Sequence, residues 1–346
     1  KELKSVGFWK GTTSNKQMNF NAIIGNPPYQ LTGHGQKPLP IYQYFIDLAR
    51  ALKPQCLSMI SPSRWFAAND LKDFRDSIIN ENRIDIIHDF ADARLCFSNV
   101  EIKGGISYFR WNANSDGNCL FCIHDQDNVT QTVRNLNQEN TDILIRDGYM
   151  IQIMEKVHKL GEDRFNNFIS SNDPFGFDMR EDHSSKRLKV PFTLTPCENP
   201  VNFYYNGWRK DGIGYVNKDI ITKNKQWVDK VKILIPKAWG TGDSSKDRLK
   251  PFIVEPNTCC TETYLVVGPF DDMQTANNVV SYMETKFFHF MVSIMKLTQN
   301  AMQGVYCNVP MQDFSKPWTD EELYDKYGLD LFEREYIESL IKPMED

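Results

Sequence analysis

Four adjacent residues, Asn26-Pro27-Pro28-Tyr29, are suited by type and order to chemistry on a planar amine. The Asn26 side chain and the Pro27 main chain each offer a carbonyl oxygen, so together they can accept two N–H hydrogens. Pro28 biases Pro27 toward extended geometry, which fixes the Pro27 carbonyl, and Tyr29 offers a ring face for stacking. The alternative is a structural loop in which the two prolines only end a strand.

The segments around these four residues predict a sheet that would position them. Apolar runs indicate strands at Ala22–Ile24, Cys56–Ile60 and Ile84–Ile87, and helical spacing of apolar residues indicates helices at Ile41–Leu52 and Leu71–Ile79. Gly105–Trp111 and Cys119–His124 read as the two strands of a hairpin. Strands that alternate with helices and end in a hairpin predict an α/β sheet, mostly parallel, with antiparallel strands at one edge.

The second half of the chain has a different pattern of apolar runs and turn residues. Gly148–Leu160 predicts an amphipathic helix, and residues 165–275 carry short strand-like runs, such as Lys232–Ile235 and Tyr264–Val267, between turn residues. Two helices are expected at 276–285 and 287–296, and an acidic helix or helix pair at 320–341. We therefore expect an α/β domain at 1–150, a connecting helix at 151–164, a β-rich α+β domain at 165–315 and a helical tail at 316–346.

Composition excludes several classes of protein. The chain has 346 residues, of which 41% are hydrophobic and 25% charged, so disordered and collagen-like proteins are excluded. No apolar run is long enough to span a membrane, and the first residues contain no apolar signal segment. Eight cysteines, several inside apolar runs, are typical of reduced thiols, so a cytoplasmic protein with no disulfide scaffold and no metal site is expected.

The charge of −5 is unevenly distributed along the chain. Residues 180–250 carry 15 Lys and Arg against 8 Asp and Glu, whereas residues 316–346 carry 4 against 10. Basic residues interleaved with tryptophans are typical of surfaces that contact DNA phosphates and base edges. The candidate DNA-binding residues are Arg180, Lys186, Arg187, Lys189, Arg209, Lys223, Lys225, Lys237 and Arg248, interleaved with Trp208, Trp227 and Trp239.

The Asn-Pro-Pro-Tyr segment resembles the motif of amino-group DNA methyltransferases, and its surroundings resemble the Eco57I type of restriction–modification methylase. The similar segments are residues 20–30, 57–66 and 100–109, the run Asp173–Gly176, and the tail from Trp318 to Met344. The resemblance implies the C-terminal half of a Rossmann-like methyltransferase sheet, followed by a target-recognition domain. It also implies methylation of adenine N6 in double-stranded DNA, although amine chemistry alone leaves the cytosine amine open.

The resemblance implies a role for each motif residue. Asn26 and Pro27 would accept the amine hydrogens and direct the nitrogen lone pair at the methyl donor, while Pro28 stiffens the loop. Tyr29 would stack on a base flipped out of the duplex. Phe97 and Tyr108 are candidates for the other wall of the base pocket.

The resemblance also implies S-adenosyl-L-methionine as methyl donor, normally held by a Gly-rich turn upstream of the motif. Only 25 residues precede Asn26, they contain no such turn, and the chain starts with Lys1. We therefore expect a piece of a longer enzyme, inactive alone, working with a restriction subunit or a fused nuclease domain. A circular order of motifs, with the cofactor half opening at Asp173-Pro174-Phe175, is the alternative. A non-catalytic DNA-recognition module that serves a partner subunit is the rival function.

Overall fold

The computed structural model describes residues 20–31, 38–97, 102, 104–126, 128–138, 141–177, 192–239, 249–296 and 300–341. The chain divides into two compact units, Lys1–Gly148 and Tyr149–Asp346. No helix in these described ranges is both long and apolar enough to cross a membrane.

The described residues of the first unit form eight strands and two α-helices. The strands are β1 (Ala22–Gly25), β2 (Gln30–Leu31), β3 (Leu39–Pro40), β4 (Cys56–Pro62), β5 (Ile84–Phe90), β6 (Ile106–Asn112), β7 (Cys119–Asp125) and β8 (Asn128–Arg134). The helices are α1 (Tyr42–Ala51) and α2 (Lys72–Asn80). The strands and helices predicted around the motif are thus confirmed, with ends that differ by a few residues.

Six of these strands form one sheet in the order β1-β4-β6-β5-β7-β8. The β1/β4 and β5/β7 pairs are parallel, whereas β4/β6, β5/β6 and β7/β8 are antiparallel. The expectation of a mostly parallel sheet with antiparallel strands at one edge is therefore wrong. The antiparallel strand β6 lies inside the sheet, between β4 and β5, and the result is a mixed α/β architecture.

The predicted hairpin of residues 105–111 with 119–124 is also wrong, because β5 lies between β6 and β7. The six-residue connection between β6 and β7 reverses the chain direction and crosses the end of β5. The side-chain amide of Asn112, the last residue of β6, donates to the Asp85 carboxylate at 2.8 Å and fastens this crossing point. Instead, β7 forms its antiparallel pair with β8, the next strand in the sequence.

Both helices of the first unit pack on one face of the sheet. Leu57 and Phe109, from adjacent strands, join Ile46 of α1 and Ile78 of α2 in a single buried core. Because strand residues alternate between faces, the intervening residues, Tyr108 among them, belong to the opposite face. The face opposite α1 and α2 therefore carries the aromatic side chains described below.

The second unit is rich in β-strands at first and helical at its end, as predicted. Its elements are α3 (Gly148–His158), β9 (Pro200–Tyr204), α4 (Trp208–Asp211), β10 (Gly214–Asn217), β11 (Val231–Pro236), β12 (Phe252–Val254), β13 (Thr258–Cys260), β14 (Tyr264–Phe270), α5 (Met273–Met283), α6 (Lys286–Ser293), α7 (Asp320–Lys326) and α8 (Leu331–Leu340). The strands form two three-stranded sheets, β10-β9-β13 and β12-β11-β14.

The acidic tail forms two helices because each begins with a capping box. The Thr319 hydroxyl and the Glu322 side chain cap α7, and the Asp330 and Glu333 carboxylates cap α8 in the same reciprocal manner. Acidic side chains in the first turn of a helix also favour its positive dipole end. The predicted helix pair is confirmed.

The core of the second unit contains a buried histidine, and we predict that it makes stability fall in acid. Burial lowers the pKa of His289 to about 4; a hydrogen bond to the Met283 main chain opposes this shift, and the charge of Lys296 adds to it. As the pH falls below about 6.5, the unfolded chain therefore binds this proton before the folded chain does, and stability is lost. The loss for this one residue is roughly 3 kcal/mol by pH 4.

Denaturant unfolding between pH 7 and 4 measures this effect. His289→Asn retains an amide donor but cannot titrate. The slope of its unfolding free energy against pH should therefore correspond to close to one proton fewer than in the wild type. His158, whose pKa burial also lowers to about 4, stays in both proteins and contributes to the remaining slope, together with carboxyl groups whose pKa values are shifted. An identical slope in wild type and variant would contradict the prediction.

Candidate active site

The Asn-Pro-Pro-Tyr segment directly follows β1, the edge strand of the sheet. β1 runs parallel to β4, and the two strands are in register from Ala22 opposite Cys56 to Gly25 opposite Met59. Asn26 is exposed and its side chain makes no hydrogen bond to another described residue, whereas Pro27 is buried. An anchored proline thus follows an asparagine whose amide is free to bind a ligand.

The main chain at Tyr29 is fixed by a hydrogen bond and by the strand pair that follows it. Its main-chain carbonyl accepts a hydrogen bond from Ile41 N–H at 3.1 Å, and the next residues form the short β2/β3 hairpin. The ring is half-buried, and its hydroxyl is buried without a hydrogen-bond partner among the described residues. Burial raises the pKa of Tyr29, and the nearby Cys96 thiol raises it further.

Tyr108 lies on β6 and is 36% exposed. Burial raises its pKa, followed by smaller effects of Cys122 and Cys96. Cys96 therefore lies within electrostatic range of both Tyr29 and Tyr108. Phe97 adjoins Cys96 in the chain and is half-buried, but no ring contact joins it to another described aromatic residue.

An unpredicted pair of histidines supports the Tyr108 ring. His88 on β5 stacks on Tyr108 with ring centroids 4.6 Å apart and planes 13° apart. His88 Nδ1 and His124 Nε2 are 2.8 Å apart, and His124 in turn stacks on Phe90 at 4.1 Å. Burial and the neighbouring His124 lower the pKa of His88. Four rings from three strands thus form a layer on the face opposite α1 and α2.

The structure also contains an ion pair that the sequence does not predict, between Asp89 at the end of β5 and Arg146. Asp89 is fully buried; Ser63 Oγ donates to it at 2.6 Å, and Arg146 Nε lies 2.8 Å from its other oxygen. Burial raises the pKa of Asp89, and Arg146 opposes that shift. Arg146 also donates to the Gly104 carbonyl, so it connects Asp89 on β5 to the segment before β6.

The structure shows no metal centre in its described part. No group of three or more His, Cys, Asp or Glu side chains there is arranged to hold an ion. Cys119, Cys122 and His124, whose spacing partly resembles a zinc motif, all lie along the single strand β7, and both thiols are buried and free.

The candidate DNA-binding residues are only partly described. Arg180, Lys186, Arg187, Lys189 and Arg248 lie outside the described residues, whereas Arg209, Lys223, Lys225 and Lys237 lie within them. The three lysines have partners: Asp173 at 3.1 Å, Asp219 at 3.4 Å and Asn172 at 3.3 Å, respectively.

The tryptophans of the basic segment differ in exposure. Trp208 and Trp227 are half-buried. Trp239 is only 7% exposed and packs under Lys296, whose Nζ lies 4.3 Å from the ring centroid. Trp239 is therefore a core residue and does not present its ring to DNA.

Comparisons with known proteins agree with the motif. Residues 2–97 match the model of the family described as Eco57I restriction-modification methylase. A protein of Mycoplasma pneumoniae (strain ATCC 29342 / M129 / Subtype 1), named as an uncharacterized adenine-specific methylase, is 42% identical over 111 residues. The aligned part covers 30% of this chain and 26% of that protein, about a quarter of its length.

Among solved structures, similarity extends to several restriction–modification enzymes. The type IIG restriction endonuclease BpuSI is 12% identical, with a TM-score of 0.34, over 88% of this chain and 45% of that chain. The type IIL enzyme MmeI, in complex with DNA, is 9% identical, with a TM-score of 0.42, over 83% and 46%. The resemblance of the N-terminal segment to the Eco57I restriction–modification methylases, first indicated by Asn26–Tyr29, is thus confirmed by the family model and by the curated relative.

Proposed function

We propose that this chain is part of a restriction–modification DNA methyltransferase that methylates the N6 amine of adenine. The observation that carries the proposal is the free amide of Asn26, which stands at the end of β1 on a segment anchored by the buried Pro27. An exocyclic amine is a poor nucleophile because its lone pair is delocalised into the ring. Two carbonyl acceptors, from Asn26 and Pro27, would bind the amine hydrogens in a tetrahedral arrangement, which localises the lone pair on the nitrogen.

The base itself would be held by aromatic rings. The Tyr29 main chain is fixed by its bond to Ile41, and its half-buried ring would stack on a flipped base. Tyr108, fixed by His88, is the proposed opposite wall, and Phe97 remains a second candidate. The adenine branch is favoured over the cytosine amine by the name of the Mycoplasma relative.

S-adenosyl-L-methionine is the methyl donor that this proposal requires. The residues that the structure describes around β1 and β4 contain no Gly-rich turn leading from a strand into a helix, so they do not fit the ribose and methionine part of such a site. We propose that this half of the site comes from polypeptide outside the chain, and we assign no step through the cofactor to the residues described.

The second unit is proposed to bind the target duplex, and we predict that this binding is strongly salt-dependent. If basic side chains of residues 165–315 neutralise about four phosphates, raising the salt from 50 to 200 mM should weaken binding about 100-fold. Lys225→Gln should reduce the slope of log K against log salt by about one. Lys316→Gln, in the acidic tail, serves as the control and should leave the slope unchanged.

Fluorescence anisotropy of a labelled duplex, titrated with the chain at four salt concentrations, makes this measurement. Binding that does not depend on salt, or no binding at all, would contradict a DNA-contacting role for the second unit. Equal slopes in wild type and Lys225→Gln would exclude Lys225 from the interface.

A further inference from the structure

Of the four candidate DNA-binding residues that the structure describes, Arg209 is the one without a polar side-chain partner among the described residues, and it lies on a short turn of the second unit. α4 is flanked by Gly207 (φ 109°) and Gly212 (φ 92°), two positions in the left-handed region that glycine adopts without strain. The Tyr205 hydroxyl closes the turn by donating to the Gly212 carbonyl at 3.0 Å. Arg209 is exposed at this turn, which is held in one conformation by its own hydrogen bonds.

Aromatic rings lie beneath the Arg209 guanidinium. Its central carbon is 5.1 Å from the Trp208 ring centroid and 5.7 Å from that of Phe252. Trp208 is itself fixed, because its indole N–H donates to the Tyr264 hydroxyl at 2.9 Å and its ring packs edge-on against Tyr204 at 4.8 Å. The guanidinium carbon thus lies against two aromatic rings, of which Trp208 is held by its own contacts.

The donors of Arg209 remain unused. No hydrogen bond or ion pair joins its guanidinium to another residue in the described part of the chain. Asp211, two residues away on the same turn, has its carboxylate beside Gly207 and within electrostatic range of Tyr205. Lys223, Lys225 and Lys237, by contrast, each have a polar partner, as described above.

We infer that Arg209 determines sequence specificity by reading the major-groove edge of a guanine in the target duplex. This inference rests on the proposed function of the second unit. A guanidinium fork matches the O6 and N7 acceptors of guanine, and this pair is the commonest specific contact between proteins and DNA. A backbone phosphate can accept the same two donors, but only a base edge makes the contact specific for sequence.

The alternative source of two acceptors is a backbone phosphate, and Arg209→Lys distinguishes the two. Lysine keeps the charge for a phosphate but loses the fork. We expect Arg209→Lys to keep its overall affinity for DNA and its salt slope, while preference for guanine at one position falls about 5- to 150-fold. Lys210→Ala, on the same turn, is the matched control and should weaken all sequences equally.

The experiment selects bound duplexes from a randomised DNA library with the 346-residue chain and its variants, followed by sequencing. A thermal melting curve first shows that each variant is folded. Phe252→Leu, which removes one supporting ring and keeps Arg209, should lower the same guanine preference to a smaller degree.

Each outcome decides between the readings. If Arg209→Lys loses the preference for guanine at one position of the selected sequence, the inference is supported. An unchanged sequence preference in Arg209→Lys, with uniform weakening in Arg209→Ala, assigns Arg209 to a phosphate and overturns the inference alone. A wild-type chain that binds DNA but enriches no sequence, or that binds none, overturns the target-recognition proposal and the inference together.

Discussion

Replacing Asn26 by alanine in the assembled methyltransferase is expected to reduce methyl transfer by at least about 100-fold, while affinity for DNA stays nearly unchanged. The reason is that the Asn26 carbonyl would bind the amine hydrogens most strongly when the nitrogen becomes tetrahedral, in the transition state. Single-turnover transfer of a labelled methyl group, compared with duplex binding measured separately, separates the two quantities. The exposed side chain has no described partner, so its removal should not disturb the fold.

Two variants serve as controls for this prediction. Asn26→Asp keeps an acceptor oxygen at the same position and should retain more activity than Asn26→Ala. Tyr29→Phe keeps the stacking face and loses only a hydroxyl that has no partner among the described residues, so its effect should be small. Methyl transfer by Asn26→Ala within threefold of wild type would remove Asn26 from the proposed role.

Replacing Gly105 by alanine is expected to destabilise the first unit by more than about 3 kcal/mol. Gly105 has φ of +80°, and a Cβ added there would lie 2.2 Å from the Phe90 carbonyl oxygen and 2.9 Å from the Ala91 Cα. These atoms belong to the main chain at the end of β5, so they cannot move aside as a flexible side chain would. Denaturant unfolding of the chain measures the loss.

The neighbouring glycine provides a matched control. Gly104 has a similar φ of +88°, but the nearest atom to an added Cβ is the Arg64 Cα, 4.0 Å away. Gly104→Ala should therefore cost only the strain of the left-handed conformation, about 1–2 kcal/mol. Equal losses in the two variants would show that the close approach of Gly105 to β5 does not determine stability.

The local elements could be predicted from the sequence because their signals are local. Apolar runs and helical spacing located β1, β4, β5, α1 and α2. The order of strands in the sheet could not be predicted, because it depends on which edge of β5 receives β6 and which receives β7. A six-residue connection is compatible with a hairpin and with passage across one strand, and nothing in residues 113–118 decides between them.

The same limit explains which site residues were missed. The motif Asn26–Tyr29 is contiguous and carries its own signal, whereas His88 and His124 meet only through the β5/β7 register. Asp89 and Arg146 are 57 positions apart, and the sequence has no pattern that pairs them. Counting charges likewise identified the basic segment but not the partners of Lys223 and Lys225, because those depend on tertiary structure.

The most direct test of the account is the identity of the methylated base. DNA from cells that express the assembled methyltransferase, or its Asn26→Ala variant, is digested to nucleosides and measured by mass spectrometry. We predict N6-methyladenine with the wild type and its loss with the variant. N4-methylcytosine in place of N6-methyladenine would contradict the assignment of the base, and no methylated base in either sample would favour a non-catalytic DNA-recognition module.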